Sequence, residues 1–342
     1  MDTTLLRDIL GMDSTSGRER AVAEHLAVAL QTPGNRVQTF EVGDGSLNVL
    51  ASWGEPKLYF CTHCDTVPPY IPPVFEPVAP GTVLPDGSRT AGEDILIRGR
   101  GACDAKGQVA AMFEACKQLE ASGKTDFALL ILAGEETGSF GAKAYTRDCP
   151  GGDIVVVGEP TDGKMVSASK GTQSFSVTLR GRACHSGYPA LGESAVERFV
   201  DFCNWLRALD FPLDPELGET TWNIGQLRSD NPQNILSPEV SFRLYFRTTF
   251  ASEAIVKALP FPDAEVVAHG GDSPMHYLTV PGLPQTTVAF GSDAPQLKRF
   301  ARRALCGPGS ITVAHTDREF VLLSQLEAAA AQYVRIYDDL TI

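Results

Sequence analysis

Short runs of apolar residues alternate along the first half of the chain with polar tips and amphipathic segments. Four such runs predict buried strands, at 47–53, 58–61, 127–132 and 154–157. Apolar residues at helical spacing predict helices at 18–30 and 106–119, and a further helix from about Gly138. Strands that are apolar on both faces and alternate with helices are typical of an α/β sheet that is covered on both sides.

The pattern changes in the middle of the chain. There it predicts strands at 174–179, 221–227, 240–249 and 264–267, and helices at 193–209 and 252–259. This β-α-β-β-α-β order is typical of a ferredoxin-like α+β domain of about one hundred residues. We therefore expect residues 169–272 to form an inserted domain.

The α/β pattern resumes after the insertion. A strand is predicted at 286–290, a helix at 295–305 and a long final helix from 318 to about 337. We expect residues 1–168 and 273–342 to form one domain, a mostly parallel sheet sandwiched by helices.

Charge and composition narrow the classes of partner. The chain has 29 Lys and Arg against 42 Asp and Glu, a formal net charge of −13. The electric field of such a negative net charge repels nucleic-acid backbones and anionic lipid, so we expect neither nucleic acid nor a membrane as a partner. The first residues lack a basic start followed by an apolar run, and we expect a cytoplasmic protein. Its eight cysteines are expected to be mostly buried thiols.

Acidic residues and one histidine follow the predicted strands where each strand ends. They are His63, Asp65, Glu135, Glu136 and Glu159. In open α/β sheets, ligands bind beyond the carboxyl ends of the strands. We therefore expect these side chains to share one site.

Hydrolysis of an amide near neutral pH needs a nucleophile, a base and a stabilised oxyanion, and paired metal ions supply the first and the third. The candidate metal ligands are His63, Asp104, Glu136, Glu159 and His315. Mixed nitrogen and oxygen donors suit two divalent ions, and zinc, cobalt and manganese all accept such ligands. Glu135 stands beside a ligand and is free to act as the base.

Each residue also has a simpler structural explanation. Asp104 precedes a predicted helix and could be its N-cap. The Glu135–Glu136 pair could be a solvated helix start, and Glu159 a loop carboxylate before Pro160. Their joint position at one predicted edge favours the metal hypothesis.

Five stretches carry a resemblance to a known family. They are Thr62–Pro69, Gly99–Gly107, Gly134–Gly138, Gly158–Thr161 and the segment from Gly307 to Thr316. In this order they resemble the co-catalytic dizinc aminoacylases and exopeptidases, which include acetylornithine deacetylase, succinyl-diaminopimelate desuccinylase and glutamate-type carboxypeptidases. The resemblance spans nearly the whole chain and implies a zinc-exopeptidase-like fold.

The resemblance implies a role for each residue of the site. Asp104 would bridge two ions, His63 and Glu159 would complete one of them, and Glu136 and His315 the other. Asp65 would orient His63, and Glu135 would pass a proton from water to the leaving amine. The family also has a cis peptide after its bridging aspartate, so we expect Asp104–Ala105 to be cis.

The inserted domain shares in the resemblance, which implies a lid or dimerisation domain and a homodimer. His185 and Tyr188 lie in a segment that resembles the family's dimerisation-domain motif, whose histidine helps to hold the oxyanion, often in the partner's site. Asn234, Arg247, Gly291 and Ser292 resemble its substrate contacts, with Arg247 binding a carboxylate. Gln233 remains an alternative to Asn234, and Arg243 to Arg247.

The branch of the family sets the predicted reaction. The chain resembles acetylornithine deacetylase most, which implies an N-acyl-amino-acid deacylase whose small substrate has a free carboxylate. A dipeptidase or carboxypeptidase with the same metal centre is the alternative. A non-enzymatic binding protein on this fold is a third, more remote alternative.

Overall fold

The computed structural model describes residues 1–43 and 45–341. The chain forms two compact units. The first comprises residues 1–167, 277–286 and 292–342, and the second comprises residues 168–276 and 287–291. The predicted insertion at 169–272 lies within the second unit.

The helices are α1 Thr4–Leu10, α2 Arg20–Ala29, α3 Lys106–Ala121, α4 Phe140–Asp148, α5 Ala195–Arg207, α6 Glu253–Lys257 and α7 Leu323–Leu340. The strands are β1 Arg36–Gly43, β2 Ser46–Gly54, β3 Leu58–His63, β4 Val74–Val78, β5 Asp94–Arg98, β6 Asp126–Leu132, β7 Ile154–Val157, β8 Met165–Ser169, β9 Gly171–Arg180, β10 Thr221–Arg228, β11 Glu239–Thr248, β12 Glu265–His269, β13 Met275–His276, β14 Gln285–Val288, β15 Arg302–Leu305 and β16 Phe320–Leu322.

The main sheet of the first unit has the strand order β1-β2-β6-β3-β7-β15. The pairs β3–β6, β3–β7 and β7–β15 are parallel, whereas β1–β2 and β2–β6 are antiparallel. Strands β3 and β7 are buried along their whole length, and β6 is buried from its second residue, because apolar side chains occupy both faces. The predicted α/β class is confirmed, with a mixed sheet whose parallel strands end on one edge.

Helices α3 and α7 pack against each other beside this sheet. The buried residues of α7 recur at helical spacing, at Leu326, Ala329, Ala330, Tyr333, Ile336 and Tyr337. The ring of Tyr333 contacts Phe60 of β3, and the ring of Tyr337 contacts Phe127 of β6. Burial of each such aromatic ring contributes roughly 2–3 kcal/mol, so the strand ends rest on a firmly packed core.

The second unit has an antiparallel sheet of order β10-β11-β9-β12. Every second residue of β11 is buried, which is typical of a sheet with one covered face. The core of this unit includes Phe202 and Leu206 of α5 together with Phe242 and Phe246 of β11. The elements follow the predicted β-α-β-β-α-β order, and the roles as a lid and in dimerisation stay predictions.

Two predictions near the C-terminal end were wrong. The predicted helix at 295–305 is a short 3₁₀ turn at Ala294–Gln296 followed by β15. Its apolar end extends the main sheet beside β7, so tertiary pairing overrides the local pattern. The final helix begins at Leu323, because Phe320–Leu322 pair with β5 as a strand.

Among the described residues, no helix combines the length and the apolar character that a membrane span requires.

Candidate metal centre

The parallel strands of the first unit deliver the candidate residues to one edge. His63 is the last residue of β3, and β6 ends at Leu132, just before Glu135 and Glu136. Glu159 follows β7, which ends at Val157. Because β3, β6 and β7 run parallel, these residues emerge together at the carboxyl edge of the sheet.

Asp104 and His315 reach the same edge from loops. Asp104 precedes α3, and His315 lies between β15 and β16 in a left-handed backbone conformation with φ 62°. That conformation costs a non-glycine residue about 1 kcal/mol or more, and such strain is concentrated at functional sites. The Asp104–Ala105 peptide bond is cis, which confirms the expectation from the resemblance.

The two carboxylate oxygens of Asp104 face two different histidines. Oδ1 lies 3.2 Å from Nε2 of His63, and Oδ2 lies 3.2 Å from Nε2 of His315. Nε2 of His315 is also 3.0 Å from Oε1 of Glu136. Asp104 therefore stands between two groups of donor atoms, as a bridging carboxylate would.

Three overlapping groups have donor atoms within 4.8 Å of one another. They are His63 with Asp104 and Glu159, Asp104 with Glu136 and His315, and His63 with Glu135 and Glu136. Oε1 of Glu159 is buried and has no hydrogen-bond partner among the described residues. A buried carboxylate oxygen in that state is costly unless a cation faces it. The donors therefore fit two divalent ions of the zinc, cobalt or manganese type.

Asp65 orients three of these residues at once. Nδ1 of His63 donates to the backbone carbonyl of Asp65 at 2.9 Å, which leaves Nε2 directed at Asp104. The Asp65 carboxylate accepts the backbone N–H groups of Glu135 and Glu136, at 3.0 Å and 3.2 Å. Although burial opposes ionisation, the His63 imidazole, 3.4 Å from the carboxylate, and these two amides hold the pKa of Asp65 below its ordinary value.

The pKa values of the carboxyl groups in the site are shifted in opposite directions: that of Asp65 is lowered and that of Glu135 is raised. Burial raises the pKa of Glu135 well above its ordinary value; the nearby His63 opposes this shift, whereas Asp293 and Glu136 reinforce it. Hydrogen bonds to Asp104 and Glu136 raise the pKa of His315 to about 10. A carboxyl group with a raised pKa beside strongly paired neighbours is suited to proton transfer.

Sequence reasoning missed three buried charged residues near this edge. Arg100 and Glu319 are each 2% exposed and form an ion pair. Asp293 is 1% exposed, and burial raises its pKa to about 7. Glu319 lies four residues after His315, and Asp293 directly follows Ser292. Closeness in sequence to a predicted site residue is therefore the one signal by which these two acidic residues could have been found.

The remaining predicted residues lie in the second unit, except Ser292, which is buried in the first. His185 and Tyr188 are exposed, with ring centroids 6.0 Å apart. The backbone carbonyl of Asn234 accepts the N–H of Ser186 at 2.9 Å, so the two predicted substrate-contact segments are adjacent. Gln233 and Asn234 are both exposed, so burial does not distinguish between them.

Arg247 and Arg243 lie four residues apart on β11 and differ in their partners. Arg243 donates to Ser176 and Ser174 and lies 2.8 Å from Nε2 of His269. Arg247 has no carboxylate partner among the described residues. It stacks over Tyr245, 5.0 Å from the ring centroid. A Cβ added to Gly291 would lie 4.0 Å from Nη1 of Arg247, an ordinary van der Waals contact, so Gly291 is a neighbour of the guanidinium.

Residues 59–339 match the model of a family described as peptidase family M20/M25/M40. A protein of Emericella nidulans named as a probable carboxypeptidase is 34% identical over 383 aligned positions, which cover 97% of this chain and 88% of that one.

Two solved structures show the same fold. A tripeptidase from Staphylococcus aureus superposes with a TM-score of 0.76 at 22% identity, covering 97% of this chain and 96% of its own. An M20 family metallo-carboxypeptidase from Sulfolobus solfataricus gives a TM-score of 0.69 at 16% identity, with 99% of each chain covered.

Proposed function

This chain belongs to peptidase family M20/M25/M40, and on that premise we propose that it is a metal-dependent carboxypeptidase of short peptides. It is a hydrolase of amide bonds in a family of metallopeptidases. The observation that carries the proposal is Asp104, with its two oxygens 3.2 Å from His63 and 3.2 Å from His315. The carboxypeptidase name of the relative that covers 97% of the chain supports the choice of peptide substrates.

Five residues would hold two divalent ions, with zinc as the proposed metal. They are His63, Asp104, Glu136, Glu159 and His315. Bound there, the ions would polarise the scissile carbonyl and lower the pKa of a water molecule. Glu135 then accepts the proton of the attacking water and delivers it to the nitrogen of the leaving amino acid. The Asp65 carboxylate keeps Glu135 beside the ligands by accepting the backbone N–H of Glu135 at 3.0 Å.

The free C-terminal carboxylate of the substrate is assigned to Arg247. An arginine fork binds a carboxylate with two parallel hydrogen bonds, and the charge of Arg247 is not neutralised by a carboxylate among the described residues. The donors of Arg243 are engaged with hydroxyl groups and His269, which makes it the weaker candidate. His185 is assigned to the oxyanion, and Tyr188, Asn234, Gly291 and Ser292 to the substrate. A homodimer is part of this proposal.

An N-acyl-amino-acid deacylase of the acetylornithine type would use the same metal centre. Both reactions break an amide bond next to a free carboxylate and differ in what lies on the acyl side. The relative and the structures described above carry peptidase names, which favours an unblocked peptide over an acetyl group.

A substrate panel tests this choice. The purified protein, loaded with zinc or cobalt, is given unblocked dipeptides and tripeptides, their C-terminal amides and N-acetyl-amino acids, and the released amino acid is identified. We expect release of the C-terminal residue from the free peptides and none from the amides. Cleavage of N-acetyl-amino acids with the peptides inert would replace the carboxypeptidase assignment by the deacylase. Release of the N-terminal residue from tripeptides would also reject it.

A further inference from the structure

A buried ion pair between Arg100 and Glu319 contacts the loop that ends at Asp104. Nη1 of Arg100 donates to Oε2 of Glu319 at 2.7 Å, although 219 positions separate the two residues along the chain. Each residue is 2% exposed. Buried ion pairs contribute little net stability on average, because desolvation offsets the attraction. Fold stability alone therefore gives a weak reason for this pair.

The other oxygen of Glu319 is bound to the backbone of the loop that ends at Asp104. Oε1 accepts the N–H of Gly101 at 2.9 Å and the N–H groups of Cys103 and Asp104 at 3.2 Å each. Three amides that converge on one carboxylate oxygen fix the path of this loop up to Asp104 itself.

Glu319 also belongs to the segment that carries the second histidine. It lies four residues after His315, and its backbone carbonyl accepts the N–H of Gly99 at 3.3 Å. The segment with His315 and the loop with Asp104 are therefore joined at both the side chain and the backbone of one residue. Arg100 in turn donates to the carbonyl of Pro69 at 3.3 Å, which ties the pair to the segment after β3.

We propose that Glu319 is a positioning residue that sets Asp104 and His315 at the separation required by a pair of divalent ions. Arg100 binds Oε2 of Glu319 and so leaves Oε1 turned toward the loop. This inference rests on the proposed metal centre. It assigns the assembly of that centre to a carboxylate that itself contacts no ion.

The test uses two double variants that both remove the ion pair and differ only in the acceptor at position 319. In R100M/E319Q, the amide oxygen of glutamine still accepts the three loop amides, and no unpaired charge is buried. In R100M/E319M, these amides lose their acceptor. Zinc affinity is measured by competition with a chromophoric chelator, geometry by the absorption spectrum of bound cobalt, and loop protection by hydrogen exchange of the metal-free protein.

We expect R100M/E319Q to bind zinc within about threefold of the unaltered protein and R100M/E319M to bind it about tenfold to a hundredfold more weakly, the usual range for a lost outer-shell partner. The amides of residues 101, 103 and 104 should exchange faster in R100M/E319M only. The exposed Glu327 of α7 offers a matched control, E327Q, with unchanged affinity. Equal zinc affinity of the two double variants would overturn the proposal, because a purely structural pair predicts it.

A second variant keeps the test decisive if R100M/E319M does not fold. E319D retains the charge opposite Arg100 but draws the oxygens back from the loop by one methylene. We expect zinc binding to weaken about tenfold in the folded protein, within the range for outer-shell changes. Unaltered affinity in E319D would reject the proposal. Failure of the unaltered protein to bind any divalent ion would instead reject the proposed metal centre.

Discussion

The two units carry their candidate residues in opposite ways. In the first, His63, Asp65 and Asp104 are at most 5% exposed and are joined by hydrogen bonds of about 3 Å. In the second, His185 and Tyr188 are exposed on a segment outside the sheet. Residues that must keep a close mutual spacing lie at or just after a packed strand end, as His63 and Asp65 do, or in a buried loop, as Asp104 does. Those proposed to contact the variable substrate lie on exposed segments and a sheet face.

Loss of Asp104 should have the largest effect, because the proposed site would lose its shared ligand. We expect D104N to bind at most one zinc ion per chain and to release no amino acid above background, while the unaltered protein binds two. Metal content by mass spectrometry and peptide hydrolysis check this. D153N, at an exposed surface ion pair, is the control. Two tightly bound ions in D104N would remove Asp104 from the bridging position.

Replacement of Glu135 should separate binding from catalysis. We expect E135Q to keep both ions and to lose about 10³-fold in kcat, because an amide cannot accept the proton of the attacking water. E24Q, on the exposed face of α2, should retain full activity. If the kcat of E135Q stays near that of the unaltered protein, another group is the base.

The second unit should show its effect in substrate recognition. We expect R247M to lower kcat/KM for free peptides about 100-fold, the loss typical of a charged hydrogen-bonding partner, with metal content unchanged. R243M, four residues away on the same strand, is the matched comparison and should change kcat/KM less than about fivefold, because the donors of Arg243 are bound by groups of the protein and not by substrate. A larger loss in R243M would reverse the assignment of the carboxylate.

The smallest effect is expected at Ser16, because several other groups also bind the carboxylate of Asp65. The hydroxyl of Ser16 donates to Asp65 at 3.2 Å, beside the two backbone amides and the imidazole of His63. We expect S16A to lower kcat/KM by about fivefold or less, because the other donors still hold the carboxylate. A loss of 100-fold would mean that Asp65 is held less redundantly than its contacts indicate.

The order of the parallel strands allows the proximity of several candidate residues to be predicted from the sequence. His63, Glu135 and Glu159 were predicted to meet because each follows a buried parallel strand, and parallel strands end on one edge. The same reasoning could not find Arg100 and Glu319, whose pairing depends on three-dimensional approach across 219 positions. No local pattern encodes that approach.

The errors in the fold have a similar origin. Residues 302–305 were predicted as part of a helix, yet they form a strand because β7 offers a free edge. The three-stranded sheet β4-β5-β16 was missed because β4 carries Pro77 and β16 has three residues, too few for a periodic pattern. Short strands are stabilised by their partners and not by their own residues.

The amides of Glu135 and Glu136 share the carboxylate of Asp65, and that residue also holds the imidazole of His63. A shift of Asp65 would therefore carry the backbone of Glu135 and Glu136 and the ring of His63 with it. The spacing between the proposed base and the neighbouring ligands thus depends on one residue that they all contact.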